Sequence, residues 1–318
     1  MTYIVLILTL VGIVIGADLL VSGSVGIARR FRISDFVIGA VIVGVGTSMP
    51  ELTVSFIGAL QGNAEVAIGN VVGSNIFNVL GILGITTMLF PLAVSKESMK
   101  FEIPFCIGIS ILLTMLVFNF FFVQDPVLSR IDGLILILVF VAFMYISLKR
   151  GRQQIEIGEL SEKEPALLPN VWISVLKTIG GLGLLILSCD YFVDTAVGLA
   201  RRFGVNDGFI SITLIACGTS LPELAASITA AIKKNADLSL GNIVGSNIFN
   251  VGLILGISSQ VTPLTSSEIT IVDYIIMIFA AFMPMVLCRK GKISRVGGLF
   301  MFLCFVAYNI YLLKTQML

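Results

Sequence analysis

The feature of this chain that most restricts its fold is an internal duplication. The segment GTSMPELTVS at residues 46–55 returns as GTSLPELAAS at residues 218–227, an offset of 172 residues. GNVVGSNIFNV at 69–79 returns as GNIVGSNIFNV at 241–251 with the same offset, and 20 of the 34 positions that span both segments are identical to their partners. Such identity indicates that the two halves are copies of one structural unit.

Composition and segment length indicate that this unit lies in a membrane. Hydrophobic residues make up 57% of the 318 residues and charged residues only 12%, whereas a soluble domain has roughly a quarter charged residues. Ten apolar segments are long enough to cross the hydrocarbon core of a bilayer, which is roughly 30 Å thick. They lie near residues 3–27, 35–60, 66–91, 102–123, 131–148, 171–199, 208–232, 239–261, 270–288 and 297–314. We therefore predict an all-α integral membrane protein with ten transmembrane helices.

The halves are separated by the one clear polar linker, residues 149–170. It divides the chain into a first five-helix repeat at 1–148 and a second at 171–318. Because five is odd, the second repeat enters the membrane from the opposite side, and the sequence predicts two inverted repeats, an architecture common in secondary transporters. The alternative is nine or eleven spans with a parallel repeat.

The distribution of basic residues predicts the orientation of this topology. With the N-terminus outside, fifteen Lys and Arg residues fall in cytoplasmic loops and four on the outer side. This agrees with the positive-inside rule. Arg201 and Arg202 are a local exception, as expected of a duplicated motif in the opposite orientation. We therefore predict that both termini lie outside.

Several classes of function are disfavoured by composition. A net charge of +1 without a basic tail argues against nucleic-acid binding. The chain has no histidine, the commonest transition-metal ligand and the usual general base. Its five cysteines are scattered, with neither metal-type spacing nor a disulfide framework. We expect neither an enzyme nor a resident cofactor, and nothing in the sequence indicates an obligate protein partner.

Each copy carries polar stripes inside segments that should be apolar. On a helix, residues at i, i+3 and i+4 share one face. One such stripe and its copy are Thr47, Ser48, Glu51, Ser55 and Thr219, Ser220, Glu223, Ser227; the other stripe and its copy are Asn70, Ser74, Asn78 and Asn242, Ser246, Asn250. Because lipid does not tolerate such stripes, we expect all four to face one another.

A proline interrupts each carboxylate-bearing stripe. Pro50 has no N–H, so the carbonyl of Gly46 loses its helical partner, and Pro222 does the same to Gly218. We therefore predict broken helices at the core, with free carbonyls buried in protein or lining a wet cavity. Carbonyls, hydroxyls, amides and carboxylates form an all-oxygen set, which suits hard cations such as Ca²⁺ and Na⁺.

The two glutamates carry most of this argument. A single hydroxyl is equally well explained as a hydrogen-bonding contact between helices. That explanation does not suit Glu51 and Glu223, because ionised carboxylates without a nearby Lys or Arg are costly in a membrane. The alternative is that both carboxyls are protonated when no ion is bound. Their joint charge would balance one Ca²⁺ or two Na⁺. If the two kinds of ion exclude each other from this pair of carboxylates, that exclusion is sufficient for exchange. Asp18 and Asp190, repeat partners in the first helix of each half, are weaker candidates whose role stays open.

At these residues the chain resembles the sodium/calcium exchanger family of the cation/calcium exchanger superfamily, particularly its compact prokaryotic members. The paired GTSMPE/GTSLPE and GNVVGSNIFN/GNIVGSNIFN segments carry the resemblance, which covers the whole length. It implies antiport of Na⁺ against Ca²⁺ by alternating access, without ATP, in a prokaryotic plasma (inner) membrane. It also implies that the first and sixth helices slide across the core as a gate.

The resemblance further implies a set of ion ligands. Glu51 and Glu223 match the carboxylates that bind Ca²⁺ and share in binding Na⁺. The other matched positions would supply backbone carbonyls, hydroxyls or amides: Thr47, Thr219, Gly44, Ala216, Ser48, Ser220, Ser74, Ser246, Asn78 and Asn250.

One departure from the family pattern bears on the coupling ion. Some relatives, including the potassium-dependent branch, carry Asp at the position of Asn250, where the acid is tied to K⁺. Asn78 and Asn250 are both neutral amides, so we predict K⁺-independent exchange. Proton/calcium antiporters of the superfamily use a different glutamate motif. K⁺-dependent Na⁺/Ca²⁺ exchange and H⁺/Ca²⁺ antiport are the alternatives among carriers, and a passive cation channel is the alternative outside them.

Overall fold

The computed structural model describes residues 2–31, 33–119, 126–156, 170–203, 217–266 and 269–316, with the backbone alone for 151–156 and 315–316. The α-helices of the first half are α1 (Thr2–Phe31), α2 (Asp35–Ile38), α3 (Val45–Thr47), α4 (Met49–Leu60), α5 (Ala64–Ile76), α6 (Gly84–Leu89), α7 (Ile103–Val117) and α8 (Arg130–Glu156). Those of the second half are α9 (Val171–Arg202), α10 (Leu221–Ile232), α11 (Ala236–Phe249), α12 (Gly256–Val261), α13 (Ile271–Leu287) and α14 (Arg295–Gln316).

The helices follow the apolar segments of the sequence. Among the described residues, seven helices are long and apolar enough to cross a membrane, or eight if the bent segment that includes α2 to α4 is one span. Helices α10 and α13 are shorter, with 12 and 17 residues. Residues 204–216, where we predict the start of the seventh span, lie outside the described part. The protein is therefore all-α and membrane-embedded, with seven or eight apolar spans observed.

Four stretches of the described residues have π-helical geometry, which the stripes did not predict. They are Gly39–Gly44, Phe77–Leu83, Ser98–Glu102 and Asn250–Leu255. Two of them begin within the duplicated GSNIFNV segment of each copy, at positions that differ by one residue under the repeat. A π turn is wider than an α turn and is frequent at functional sites. We therefore do not expect the spacing of four residues that defines the stripes to continue beyond Asn78 and Asn250.

Short strands join loops of the two halves. Strand β1 (Leu92–Ala93) pairs antiparallel with β5 (Lys292–Ile293), which also pairs with β4 (Cys288–Arg289). Strand β2 (Val127–Leu128) pairs antiparallel with β3 (Leu264–Thr265). These pairings satisfy backbone groups where the chain leaves a helix. Apart from the π-helical stretches, turns and loops, they are the only departure from α-structure that the described residues show.

Helices α1 and α9 pack closely along each other. A Cβ added to Gly16 would lie 2.7 Å from the backbone N of Leu185, and one added to Gly23 would lie 2.6 Å from that of Thr178. Residue numbers rise along α1 as they fall along α9, so the helices are antiparallel. Glycine permits this approach of two backbones. The pair shares a hydrophobic cluster with α10 and α11: Ala17, Leu20, Val21, Leu185, Cys189, Ala226, Ala230 and Leu238.

The main core surrounds the two most buried spans, Ala64–Leu89 and Ala236–Val261. Each of these spans carries one copy of the GNxVGSNIFNV motif. Their central position takes the asparagines and serines of the motif away from lipid, where they would lack partners. The polar stripes therefore meet inside the protein, as predicted.

Candidate ion-binding site

The two GTS-x-PE segments lie at the starts of helices. Helix α3 ends at Thr47 and α4 begins at Met49, with Ser48 between them and a bend of 49°. In the second copy, Ser220 precedes the first residue of α10. Each proline falls within the first turn of its helix, where an N–H has no intrahelical acceptor to lose. The predicted helix break is confirmed in the first copy.

The carbonyl predicted to be free in the second copy takes part in a turn. Leu221 N donates to Gly218 O at 3.2 Å. Pro222 therefore removes one partner from this carbonyl, but the preceding residue supplies another. The prediction of a fully released carbonyl at this position is wrong, because the chain tightens into a turn before α10.

The two glutamates are buried at one site and are bonded crosswise. Glu51 and Glu223 are both 0% exposed. Ser220 Oγ donates to Glu51 Oε1 at 2.7 Å, and Ser48 Oγ donates to Glu223 Oε1 at 2.8 Å. Each carboxylate thus accepts a bond from the serine three residues before the other glutamate. The first turns of α4 and α10 meet in this way, with both carboxylates at the positive ends of their helices.

Six buried oxygens of the predicted ligand residues have no hydrogen-bond partner. They are Glu51 Oε2, Glu223 Oε2, Ser74 Oγ, Asn78 Oδ1, Thr219 Oγ1 and Asn250 Oδ1. Neither glutamate forms an ion pair with a Lys or Arg of the described chain. A buried polar group without a partner costs about 1–3 kcal/mol, and a charged one costs more. Oxygens left in this state are suitable ligands for a hard cation.

The carbonyl of Gly44 and the side chain of Thr47 contact the second copy. Ser246 Oγ donates to Gly44 O at 3.2 Å, and Thr47 Oγ1 donates to Asn242 Oδ1 at 3.2 Å. A Cβ on Gly44 would lie 3.1 Å from the backbone N of Ser246, so glycine permits the close approach. Ala216, the predicted counterpart of Gly44, lies outside the described residues.

Four asparagines form a reciprocal network across the centre. Asn75 Nδ2 donates to Asn247 O and Asn247 Nδ2 donates to Asn75 O, both at 3.2 Å. Asn78 Nδ2 donates to Asn247 Oδ1 at 2.9 Å, and Asn250 Nδ2 donates to Asn75 Oδ1 at 3.1 Å. The amide nitrogens of Asn78 and Asn250 are therefore engaged, which leaves their oxygens available.

Asn75 and Asn247 were not among the residues predicted from the stripes. They lie off the spacing of four that connects Asn70, Ser74 and Asn78. The signal that could have identified them is their position inside GSNIFNV, which is identical in both copies. Both are almost fully buried, at 1% and 3% exposure.

The outer residues of the stripes hold neighbouring helices together. Asn70 Nδ2 donates to Ser55 Oγ at 2.9 Å and to the carbonyl of Glu51 at 3.2 Å. Asn242 makes the equivalent contacts in the second copy at 2.8 and 3.2 Å. These bonds position each glutamate-bearing helix on the motif helix that follows it.

The remaining acidic candidates lie away from this site. Asp18 Oδ1 is 2.7 Å from Lys233 Nζ, with the side chains 56% and 31% exposed. Lys233 Nζ also donates to Asp18 O at 3.1 Å and to Ser22 Oγ at 3.3 Å. Asp190 is exposed and forms no ion pair with a described residue. Asp18 therefore joins α1 to the end of α10.

Comparison with known proteins identifies the family. The family model described as "Sodium/calcium exchanger protein" matches residues 1–149 and 173–314. CaxA of Alkalimonas amylolytica is 37% identical over 97% of this chain and 98% of its own. The sodium/calcium exchanger MaX1 of Methanosarcina acetivorans is 30% identical over 98% of each chain. A solved structure of the sodium-calcium exchanger NCX_Mj matches with a TM-score of 0.81 at 30% identity, covering 96% of each chain. The chain belongs to the sodium/calcium exchanger family, whose members are membrane transporters.

Proposed function

We propose that this protein is a secondary antiporter that exchanges Na⁺ for Ca²⁺ by alternating access, independently of K⁺. The observation that carries the proposal is the pair of buried glutamates. Each has one oxygen bonded to a serine of the opposite repeat and one oxygen without a partner. Hard cations bind oxygen ligands, and carboxylates neutralise their charge.

The two carboxylates also suggest how exchange is coupled. Together they neutralise either one Ca²⁺ or two Na⁺, so the two ions compete for Glu51 and Glu223. A site with two uncompensated charges is costly to carry past hydrocarbon, whereas a neutralised site is not. The transition between outward-open and inward-open states therefore favours the occupied site, and each ion moves only in exchange for the other.

The ligands that we assign to the transported ions come equally from both repeats. They are Glu51, Thr47, Ser48, Ser74, Asn78 and the carbonyl of Gly44, with Glu223, Thr219, Ser220, Ser246, Asn250 and the carbonyl of Ala216. The hydrogen bonds that the side-chain amides of Asn78 and Asn250 donate to Asn247 and Asn75 support this assignment. They engage the amide nitrogens elsewhere and leave the amide oxygens of Asn78 and Asn250 unpaired.

We further propose ten spans in two inverted repeats, at 1–148 and 171–318, joined by a cytoplasmic linker at 149–170. The antiparallel packing of α1 against its repeat partner α9 supports opposite orientations of the halves. Contacts between loops support the proposed assignment of successive loops to alternate sides of the membrane. Strands β1 and β5 would both lie inside, and β2 and β3 both outside. The distribution of basic residues favours an orientation with both termini outside, and we propose that the membrane is a prokaryotic plasma membrane.

Independence from K⁺ rests on the chemistry of Asn78 and Asn250. Each offers a neutral amide oxygen rather than a carboxylate. The negative charge of the assigned ligand set is therefore limited to the two glutamates, which Ca²⁺ alone can balance. A further monovalent cation would leave excess positive charge in a low-dielectric site.

The assay that tests this function is ⁴⁵Ca²⁺ uptake into proteoliposomes with an outward Na⁺ gradient, with K⁺ and pH varied independently. We expect uptake that requires the Na⁺ gradient and is unchanged when K⁺ is omitted from both sides. Uptake driven by a pH gradient alone would contradict coupling to Na⁺. Loss of uptake without K⁺ would contradict K⁺ independence, and ohmic flux would indicate a channel.

Substitution of the glutamates tests the site in the same assay. We expect the double variant Glu51→Gln/Glu223→Gln to lose uptake by at least about 100-fold, because Ca²⁺ affinity depends strongly on the ligand charge. Glu102→Gln is the matched control, since Glu102 is also buried with an unpaired Oε2 but lies at the start of another span. Normal uptake by the double variant would refute the assigned site.

A further inference from the structure

A polar cavity lies between α1, α9 and the end of α10, apart from the central glutamates. Its volume is about 510 Å³. Three basic residues line it together with four uncharged polar ones: Arg29, Lys177, Lys233, Ser22, Asn170, Ser174 and Asn235. None of its lining residues is acidic. The cavity therefore has the size and the charge of a site for an anionic group.

The positive charge of this cavity is only partly neutralised by its neighbours. Lys233 pairs with Asp18 at 2.7 Å. Asp35 interacts electrostatically with Arg29, and its Oδ2 also accepts a bond from Asn235 at 2.9 Å. Lys177 forms no ion pair with a described residue. The lining residues themselves carry three positive charges and no negative one, and Lys177 is not paired with a described acid.

The N-terminus of α9 adds to this positive potential. Asn170 caps the helix by accepting a hydrogen bond from Trp172 N at 2.9 Å. The first N–H groups of a helix have no intrahelical acceptor, and the helix dipole is positive at this end. Ile173 and Ser174 of this first turn line the cavity. Phosphate groups are bound at such helix ends.

The surroundings of the cavity indicate where in the membrane it lies. Trp172 and Leu176, on either side of Ile173 along α9, are 73% and 70% exposed. Exposed tryptophan at the end of an apolar helix is typical of the membrane–water interface. Lipid phosphates occupy this level, and the exposed apolar side chains of α9 can contact acyl chains. These neighbours favour a lipid over a free anion.

We propose that this cavity binds the phosphate of an anionic phospholipid headgroup. Basic pockets between transmembrane helices on the cytoplasmic side recognise such headgroups, and the predicted topology places this cavity there. Arg29 belongs to α1, Lys177 to α9, and Lys233 follows α10. One bound phosphate would therefore hold the α1–α9 pair against the end of α10, beside the Asp18–Lys233 ion pair.

The test measures lipid retention by the full chain. The protein is reconstituted in phosphatidylcholine nanodiscs with a minor fraction of phosphatidylglycerol, and retained lipids are counted by native mass spectrometry. We expect retained phosphatidylglycerol, reduced about thirty-fold in Arg29→Gln/Lys177→Gln, because each basic residue near anionic lipid contributes about 1 kcal/mol. Arg30→Gln/Lys96→Gln removes the same charge outside the cavity and is expected to behave as the unmodified protein.

The outcomes of this test are distinct. Equal retention by the cavity variant and the charge-matched control would overturn the proposal. Displacement of the lipid by inorganic phosphate alone would assign the cavity to a free anion and overturn the lipid identity. Arg29→Lys/Lys177→Arg keeps the charge and should keep the lipid, which separates loss of binding from loss of folding. The readout does not involve transport, so failure of the proposed ion exchange would leave it unaffected.

Discussion

The centre and the edge of the molecule differ in how far they keep the duplication. At the centre, Ser48 bonds to Glu223 at 2.8 Å and Ser220 bonds to Glu51 at 2.7 Å. These two contacts are equivalent under the repeat, and neither half of the site is complete without the other.

At the edge the equivalence is lost. Asp18 pairs with Lys233, but the position that corresponds to Lys233 in the first repeat is Gln61, an uncharged residue. Asp190, the counterpart of Asp18, accordingly has no ion pair within the described chain. The basic cavity beside Lys233 belongs to this asymmetric region.

The difference reflects what each region contacts. A site that exchanges ions with both sides of a membrane needs ligands that serve both directions, and this keeps the two copies alike. The ends of the helices face opposite membrane surfaces under the proposed topology, where charge and lipid composition differ. Their residues therefore diverge even though the backbone pattern is shared.

The strongest test of this comparison is to replace, one at a time, the two serines that bond to the glutamate of the opposite repeat. We expect Ser48→Ala and Ser220→Ala each to weaken Ca²⁺ binding by about 10- to 100-fold, because a hydrogen bond to a charged group contributes about 1.5–3 kcal/mol. Isothermal titration calorimetry on purified protein measures the affinities. A double-mutant cycle should couple Ser48 to Glu223 and not to Glu51. Coupling of Ser48 to Glu51 instead would show that the hydrogen bonds do not run between the two repeats.

A second test concerns the contact between α1 and α9. A Cβ on Gly181 would lie 2.5 Å from the backbone N of Leu20, whereas one on Gly180 would meet nothing within 4 Å. We expect Gly181→Ala to destabilise the protein by about 1–3 kcal/mol, because overpacking displaces the backbone. Gly180→Ala should leave the melting temperature unchanged or raise it, as alanine favours helix. Thermal unfolding in detergent measures both, and equal melting temperatures would refute the contact.

The asparagine network provides a test of smaller effect at the centre. We expect Asn75→Ala and Asn247→Ala to weaken Ca²⁺ binding equally, by about tenfold, since residues that orient metal ligands typically contribute 10- to 100-fold. Asn309→Ala is the control, because among the described residues the Asn309 side chain bonds only to the carbonyl of Phe305 within α14. Unequal effects of the two central variants would show that the centre does not keep the duplication.

The smallest expected effects are at the edge. We expect Asp18→Asn and Lys233→Gln to reduce stability by less than about 1 kcal/mol each, because partly exposed ion pairs contribute little. Asp190→Asn should have no effect on the same melting temperature. The loss in Asp18→Asn should shrink at high salt, where the charges are screened. A larger loss of stability in Asp190→Asn than in Asp18→Asn would contradict the proposed difference between the two repeats at the edge.

Much of the site was predictable because the bilayer penalises polar residues so strongly. The glutamates and their stripes had to be buried. In the structure Glu51 and Glu223 are fully buried, and each bonds to a stripe serine of the other copy. The ends of most helices were also predictable within a few residues, since hydrocarbon thickness restricts apolar segments. Ion binding by these residues stays a prediction that the transport assay tests.

Other parts were not accessible from the sequence. Asn75 and Asn247 each follow a stripe serine by one residue, so a count of four residues did not identify them, and only their hydrogen bonds across the centre show their role. The interloop strands depend on loops that are far apart in sequence, and nothing local specifies their pairing. The ion pair of Asp18 likewise depends on where the end of α10 lies.

By itself the sequence determined that this is a duplicated, membrane-spanning chain with carboxylates where lipid would forbid them. Periodicity and the cost of burying charge suffice for that conclusion. Only the tertiary structure decided which serine bonds to which glutamate, which amide oxygens remain unpaired, and where basic residues of α1, of α9 and after α10 line one cavity. These contacts join residues far apart in the chain, and their geometry depends on how the helices pack rather than on any local pattern.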